Sequence, residues 1–163
     1  MEKDILTIKM YKFKDLMQFI LPEVVVGIIV AIILLMFPDI IGFASTYLFN
    51  DNMKWDDYLK LLGLPSTILV LTYNFGDKIL NPEDAINRKK LKQWTGYWML
   101  KNRVYYSIIV SFLVLCGSII CWYYTLNVNI EKGTIVLLCL WSISLTSFST
   151  VALAKLAIKD ILY

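Results

Sequence analysis

Apolar positions along this chain come in long uncharged blocks separated by short polar stretches. Residues 104–130 and 133–154 each run without a single Asp, Glu, Lys or Arg. A helix rises ~1.5 Å per residue and a bilayer core is about 30 Å thick, so about 20 apolar residues cross it. Each block is long enough alone, and the pattern predicts two lipid-crossing helices. A third block lies early in the chain. Residues 24–37 are aliphatic and rich in Val and Ile. These residues form soluble helices poorly, but in hydrocarbon the backbone has to bond within its own helix. The first span is therefore placed at 16–38. A cleaved signal peptide ending near Gly42-Phe43-Ala44 is the rival reading, disfavoured by the length of the apolar stretch.

The remaining segments are less regular. Residues 40–49 are uncharged but too short to cross, and suggest an interfacial extension or short re-entrant turn with Tyr47 and Phe49 at headgroup level. Residues 61–76 are charge-free but contain Pro65. Extending this block to 58–76 reaches membrane thickness, with Lys60 snorkelling and Pro65 in an early turn. The last two spans are set at 104–126 and 133–155. The expected fold is an all-α membrane protein: a single domain over 1–163 forming a four-transmembrane-helix bundle.

Between the second and third spans lies the one long polar segment, 77–103. Asn81-Pro82-Glu83-Asp84 resembles a helix start, with Asn as cap, Pro at the first position and acids at the positive dipole end. Beyond it Ile86, Leu91, Trp94, Tyr97 and Trp98 share one helical face, with Arg88, Lys89 and Lys92 opposite. This spacing predicts a cytoplasmic, basic amphipathic helix lying in the membrane interface. Arg88, Lys89, Lys90, Lys92, Trp94 and Trp98 are its candidate contacts to anionic lipid headgroups or a cytoplasmic protein partner. Gly96 is expected to let the chain turn into the third span.

Charge then orients the bundle. With four spans, one side receives Lys3, Lys9, Lys12 and Lys14, all seven cations of 77–103, and Lys155 and Lys159. The other side receives Lys54, Lys60 and Lys132. By the positive-inside rule both termini are cytoplasmic, and a bacterial-type inner membrane is the expected compartment. A three-span arrangement would put the basic N-terminal arm and the basic central segment on opposite faces.

Composition narrows the chemistry. The 163 residues are 58% hydrophobic and 18% charged, with mean hydropathy +0.63 and a net charge of +3. There is no histidine, which removes the commonest general base and metal ligand near neutrality. Cys116, Cys121 and Cys139 lie within the apolar blocks without ligand spacing and are read as small apolar side chains. No nucleophile–base pair, phosphate loop, metal set or nucleic-acid motif is evident. The expectation is a non-enzyme without cofactors or nucleic-acid partner.

Two further features carry functional readings. Glu23, near the start of the first span, is a candidate intramembrane acid, since such acids are costly and often functional. Small four-helix multidrug transporters also carry a glutamate in their first helix, a likeness confined to that residue. The fourth span is rich in hydroxyls. Ser142, Thr146, Ser149 and Thr150 follow i, i+4, i+7, i+8 spacing and are candidates for helix packing or for lining a path. Ser107, Ser111 and Ser118 offer a facing stripe on the third span.

Together these features suggest a self-associating membrane component or effector, of pore-forming, phage-defence or immunity type, acting as a homo-oligomer with a cytoplasmic partner. Proteins of those kinds resemble it in topology alone. The alternative is a small-solute or proton-coupled transporter using Glu23.

Overall fold

The computed structural model describes residues 22–49, 55–125 and 130–162, and among these every regular element is a helix. The N-terminal arm, the start of the expected first span, residues 50–54 and the last residue of the expected third span, 126, lie outside the described residues. In chain order the helices are α1 (Pro22–Met36), α2 (Pro38–Leu48), α3 (Trp55–Leu80), α4 (Ala85–Gln93), α5 (Tyr97–Thr125) and α6 (Ile130–Leu162).

Two of them, α5 and α6, are long and apolar enough to cross a membrane, or three if α1 and α2 count as one bent span. Only 28% of the apolar window of α5 and 22% of that of α6 are buried. The outer apolar face is thus far larger than a soluble monomer exposes. Ile28, Ile32, Phe112, Leu113, Ile120 and Leu153 all point outward. α3 is 26 residues long, but its charge-free stretch covers only 61–76.

The first apolar block does not run straight. α1 and α2 meet at 100°. Proline at the start of α2 keeps the residue before it out of the helical region, and Phe37 adopts φ −125°, ψ 75°. Residues 40–48 are helix, and they leave the line of α1 sharply. Tyr47 is exposed, whereas Phe49, also expected at headgroup level, turns inward and is buried.

The segment 77–103 differs most from expectation. It is divided among three helices: α3 continues to Leu80, α4 spans nine residues, and α5 already begins at Tyr97. The cap of α4 is Asp84, whose carboxylate accepts from the Ile86 N–H at 3.0 Å. Asn81 instead donates from Nδ2 to Asp77 Oδ1, 2.8 Å away. The chain breaks at Trp94, and the backbone of Gly96 passes under the indole; a Cβ there would lie 2.5 Å from ring carbons. Glycine serves here as the floor for an aromatic ring. The break also splits the expected apolar face. Leu91 is fully buried, while Ile86 and Trp98 are exposed.

α5 runs opposite to both α3 and α6. The end of α3, Leu91 of α4, the start of α5 and the end of α6 share one apolar cluster: Ile79, Leu80, Leu91, Leu100, Val104, Val151 and Ile158. At the far end Phe49 and Leu137 pack with Leu48, Cys121, Trp122 and Trp141. Cys121 Sγ there donates to the Gly133 carbonyl at 3.4 Å, joining the end of α5 to the start of α6. Between the two clusters the interior is small and hydroxylic. Thr72, Ser107, Ser111, Ser118, Ser144 and Ser147 are all fully buried. In lipid no hydrophobic force drives helices together, so small side chains that allow close approach are what packs them.

Candidate functional site

The most constrained polar site lies where α1, α5 and α6 meet. Glu23 is on the first turn of described α1, and its side chain is 3% exposed; that of Arg103, two turns into α5, is 11% exposed. Arg103 Nη2 and Glu23 Oε1 form a close ion pair, and Nη1 lies 3.5 Å from Oε2. The same guanidinium reaches α6: Nε and Nη2 donate to Thr150 Oγ1 at 3.1 and 2.7 Å. Thr150 in turn donates to the Ser147 carbonyl at 2.7 Å. The Tyr106 ring lies one turn further along α5, its centroid 5.5 Å from Arg103 Cζ. An Arg fork can serve a carboxylate and a hydroxyl at once, which a lysine point charge does less well.

This geometry decides what Glu23 can do. Its carboxylate is taken up by a guanidinium that is itself held by a third helix. As described, the group clamps three helices together. Two of its members were visible in the sequence, Glu23 and Thr150. The third, Arg103, counts in the sequence as one cytoplasmic cation among seven, and in the fold it points inward.

The other candidates are spread along α4 to α6. Arg88, Lys89, Lys90 and Lys92 are all exposed on α4. Arg88 bends back to donate from Nε and Nη2 to the Pro82 carbonyl at 3.2 and 3.0 Å, which ties α4 to the link before it. Leu91 and the buried Asn87 seat the helix on the bundle, so its basic face is presented outward. Trp94 lies at the break, and Trp98 is on α5 with the Lys101 ammonium 5.7 Å from its ring centroid.

On α6 the hydroxyls divide by face. Ser144 and Ser147 are fully buried, with Val151 on the same side. The stripe picked out by spacing lies about half a turn away at 100° per residue. Ser149 is exposed, Ser142 and Thr146 are half-buried, and only Thr150 reaches the interior contact. Ser142, Thr146 and Ser149 donate to carbonyls of their own helix, at 2.7, 2.8 and 2.8 Å, which satisfies them without a neighbour. On α5, Ser107, Ser111 and Ser118 are all buried, and Ser111 lies 3.5 Å from Thr72 of α3.

A volume test separates the two faces of α6. Ser147→Leu puts a large side chain into a closed contact and should destabilise the protomer by about 1–2 kcal/mol. Ser149→Leu should leave protomer stability unchanged and act, if at all, on association between protomers. Reversible unfolding in detergent and size in nanodiscs read the two effects apart. Comparison with protein-family models, with curated proteins and with solved structures finds no match.

Proposed function

We propose that this chain is a non-enzymatic membrane component that crosses the bilayer four times, through α1, α3, α5 and α6, with both termini and α4 on the cytoplasmic side. It associates with copies of itself and engages anionic lipid headgroups or a cytoplasmic partner through α4, as an effector of pore-forming, phage-defence or immunity type. The observation that carries this reading is the commitment of Glu23 to Arg103, whose guanidinium is held in turn by Thr150. It gives the buried acid among the described residues a structural role and weighs against a transporter that loads solute or protons on it. The alternating helix directions and the basic end of the bundle, with Lys78, Lys101, Lys155 and α4, support the orientation. The outward hydroxyl stripe of α6 supports self-association, because small residues let helices of neighbouring copies approach closely.

Orientation is tested in a background with Cys116, Cys121 and Cys139 replaced by alanine. A membrane-impermeant thiol reagent added to intact cells should miss a cysteine substituted at Lys89 and label one at Glu131. Labelling at Lys89 from outside would overturn the orientation. Function is tested with the full chain in liposomes. Glu23-independent leakage of a small dye, together with an oligomer in nanodiscs, is the expected result for an effector. Solute- or proton-coupled flux abolished by Glu23→Gln, with assembly intact, would establish the transporter instead.

A further inference from the structure

An open trough of about 860 Å³ lies at the basic end of the bundle, walled by the last turns of α3, the link at 81–84 and the end of α6. Its size is within the roughly 300–1,000 Å³ of small-molecule sites. Ile79, Ile158 and Phe75 give it an apolar lining, and its rim carries two cations, Lys78 and Lys155, and two acids, Glu83 and Asp84. Lys155 Nζ stands 4.5 Å from the centroid of the Phe75 ring, so an aromatic face holds one ammonium at the rim. Asp84 spends one carboxylate oxygen on the cap of α4 and has the other to offer. The Arg88 fork on the Pro82 carbonyl fixes the link that carries both acids. Among the described residues the ion pair formed is Glu23–Arg103, and the four rim charges are not paired with one another.

Two cations and two acids around an apolar lining match one ligand chemistry: an amphiphile with a phosphate, a primary ammonium and acyl chains. We propose that the trough binds a phosphatidylethanolamine-type lipid. Lys78 and Lys155 hold its phosphate, Glu83 and Asp84 accept its ammonium N–H groups, and the lining takes the first methylenes. A purely anionic headgroup would meet the two carboxylates unfavourably. A choline headgroup has no N–H to donate to them. Trp94 and Trp98 at the same end of the bundle mark the depth at which headgroups lie. The inference rests on the membrane reading above, and goes beyond it in naming a zwitterionic lipid and a second site apart from the outward face of α4.

The test uses the full chain in mild detergent and native mass spectrometry, with ethanolamine, choline and glycerol phospholipids of identical acyl chains. Ethanolamine lipid should bind about tenfold more tightly than choline lipid, the scale of one or two charge-assisted hydrogen bonds. Glu83→Gln with Asp84→Asn should bring ethanolamine lipid down to the choline level; asparagine keeps the helix cap. Lys78→Gln with Lys155→Gln should weaken all three lipids. All four residues are exposed, and circular dichroism checks that helix content is kept. Equal binding of ethanolamine and choline lipids overturns the proposal, as does preference for the glycerol lipid, or variants that change nothing. The wild-type headgroup series decides without any variant. A chain recovered from membranes that binds lipids without selectivity removes this site alone, whereas a chain that stays in solution without detergent and binds no lipid removes the membrane reading.

Discussion

Arg103→Ala is expected to destabilise the bundle by about 3–5 kcal/mol, the cost of leaving a buried partner charge uncompensated. Glu23 is 2% exposed overall, and among the described residues Arg103 is the cation that pairs with its carboxylate in a low-dielectric setting. Removing both charges should cost much less than removing either, because a buried ion pair barely outweighs the desolvation of its members. Glu23→Gln with Arg103→Gln should therefore recover most of the loss. Reversible unfolding in mixed detergent micelles measures all three variants, and the double-mutant cycle isolates the pair. Thr150→Val keeps the shape and removes only the hydroxyl, so it should fall between wild type and Arg103→Ala. If the single and double variants lost stability additively, the three-helix clamp would have to be abandoned.

The second large effect is expected at Gly76. A Cβ built there would lie 2.4 Å from Cγ1 of Val104, and Val104 is 1% exposed. Valine in a helix has one strongly preferred rotamer, so the methyl cannot swing away and α3 and α5 must part. Gly76→Ala should cost about 1–3 kcal/mol as overpacking, even though alanine favours helix over glycine by about 1 kcal/mol in soluble hosts. Val104→Ala added to Gly76→Ala should return much of the loss. Gly63 provides an internal control on the same helix. A Cβ there meets nothing within 4 Å, so Gly63→Ala should be neutral or stabilising. The same chemical change would thus have opposite signs four turns apart. Equal effects at both positions would mean that helix propensity, and not contact with α5, sets the outcome.

The parts of the fold legible in the sequence are those set by long one-dimensional signals. An uncharged block beyond membrane length admits few structures, so α5 and α6 stand close to where the blocks place them. Breaks within amphipathic stretches are harder. The apolar positions from Ile86 to Trp98 keep helical phase through Trp94–Gly96, so periodicity alone joins α4 to α5, and the break depends on an indole settling over Gly96. The lone acid Glu23 stood out by its rarity. Its partner did not, because Arg103 sits just before an uncharged block among other cations, and pairing across 80 residues is a tertiary event. An arginine, rather than a lysine, at the depth of a single acid was the signal on offer. On α6 hydroxyls occupy almost every direction around the axis, so spacing could not choose between Ser144 with Ser147 and the stripe at Ser142, Thr146 and Ser149.

The clamp also has a consequence for how the protein is made. Glu23 and Arg103 are 80 residues apart, and ribosomes add about 5–20 residues per second. The acid is therefore synthesised roughly 4–16 s before the base that neutralises it, and Thr150 comes later still. Throughout that interval the carboxylate at the start of α1 is without the guanidinium that pairs with it. The clamp can therefore close only once Thr150 of α6 has been made, well after α1.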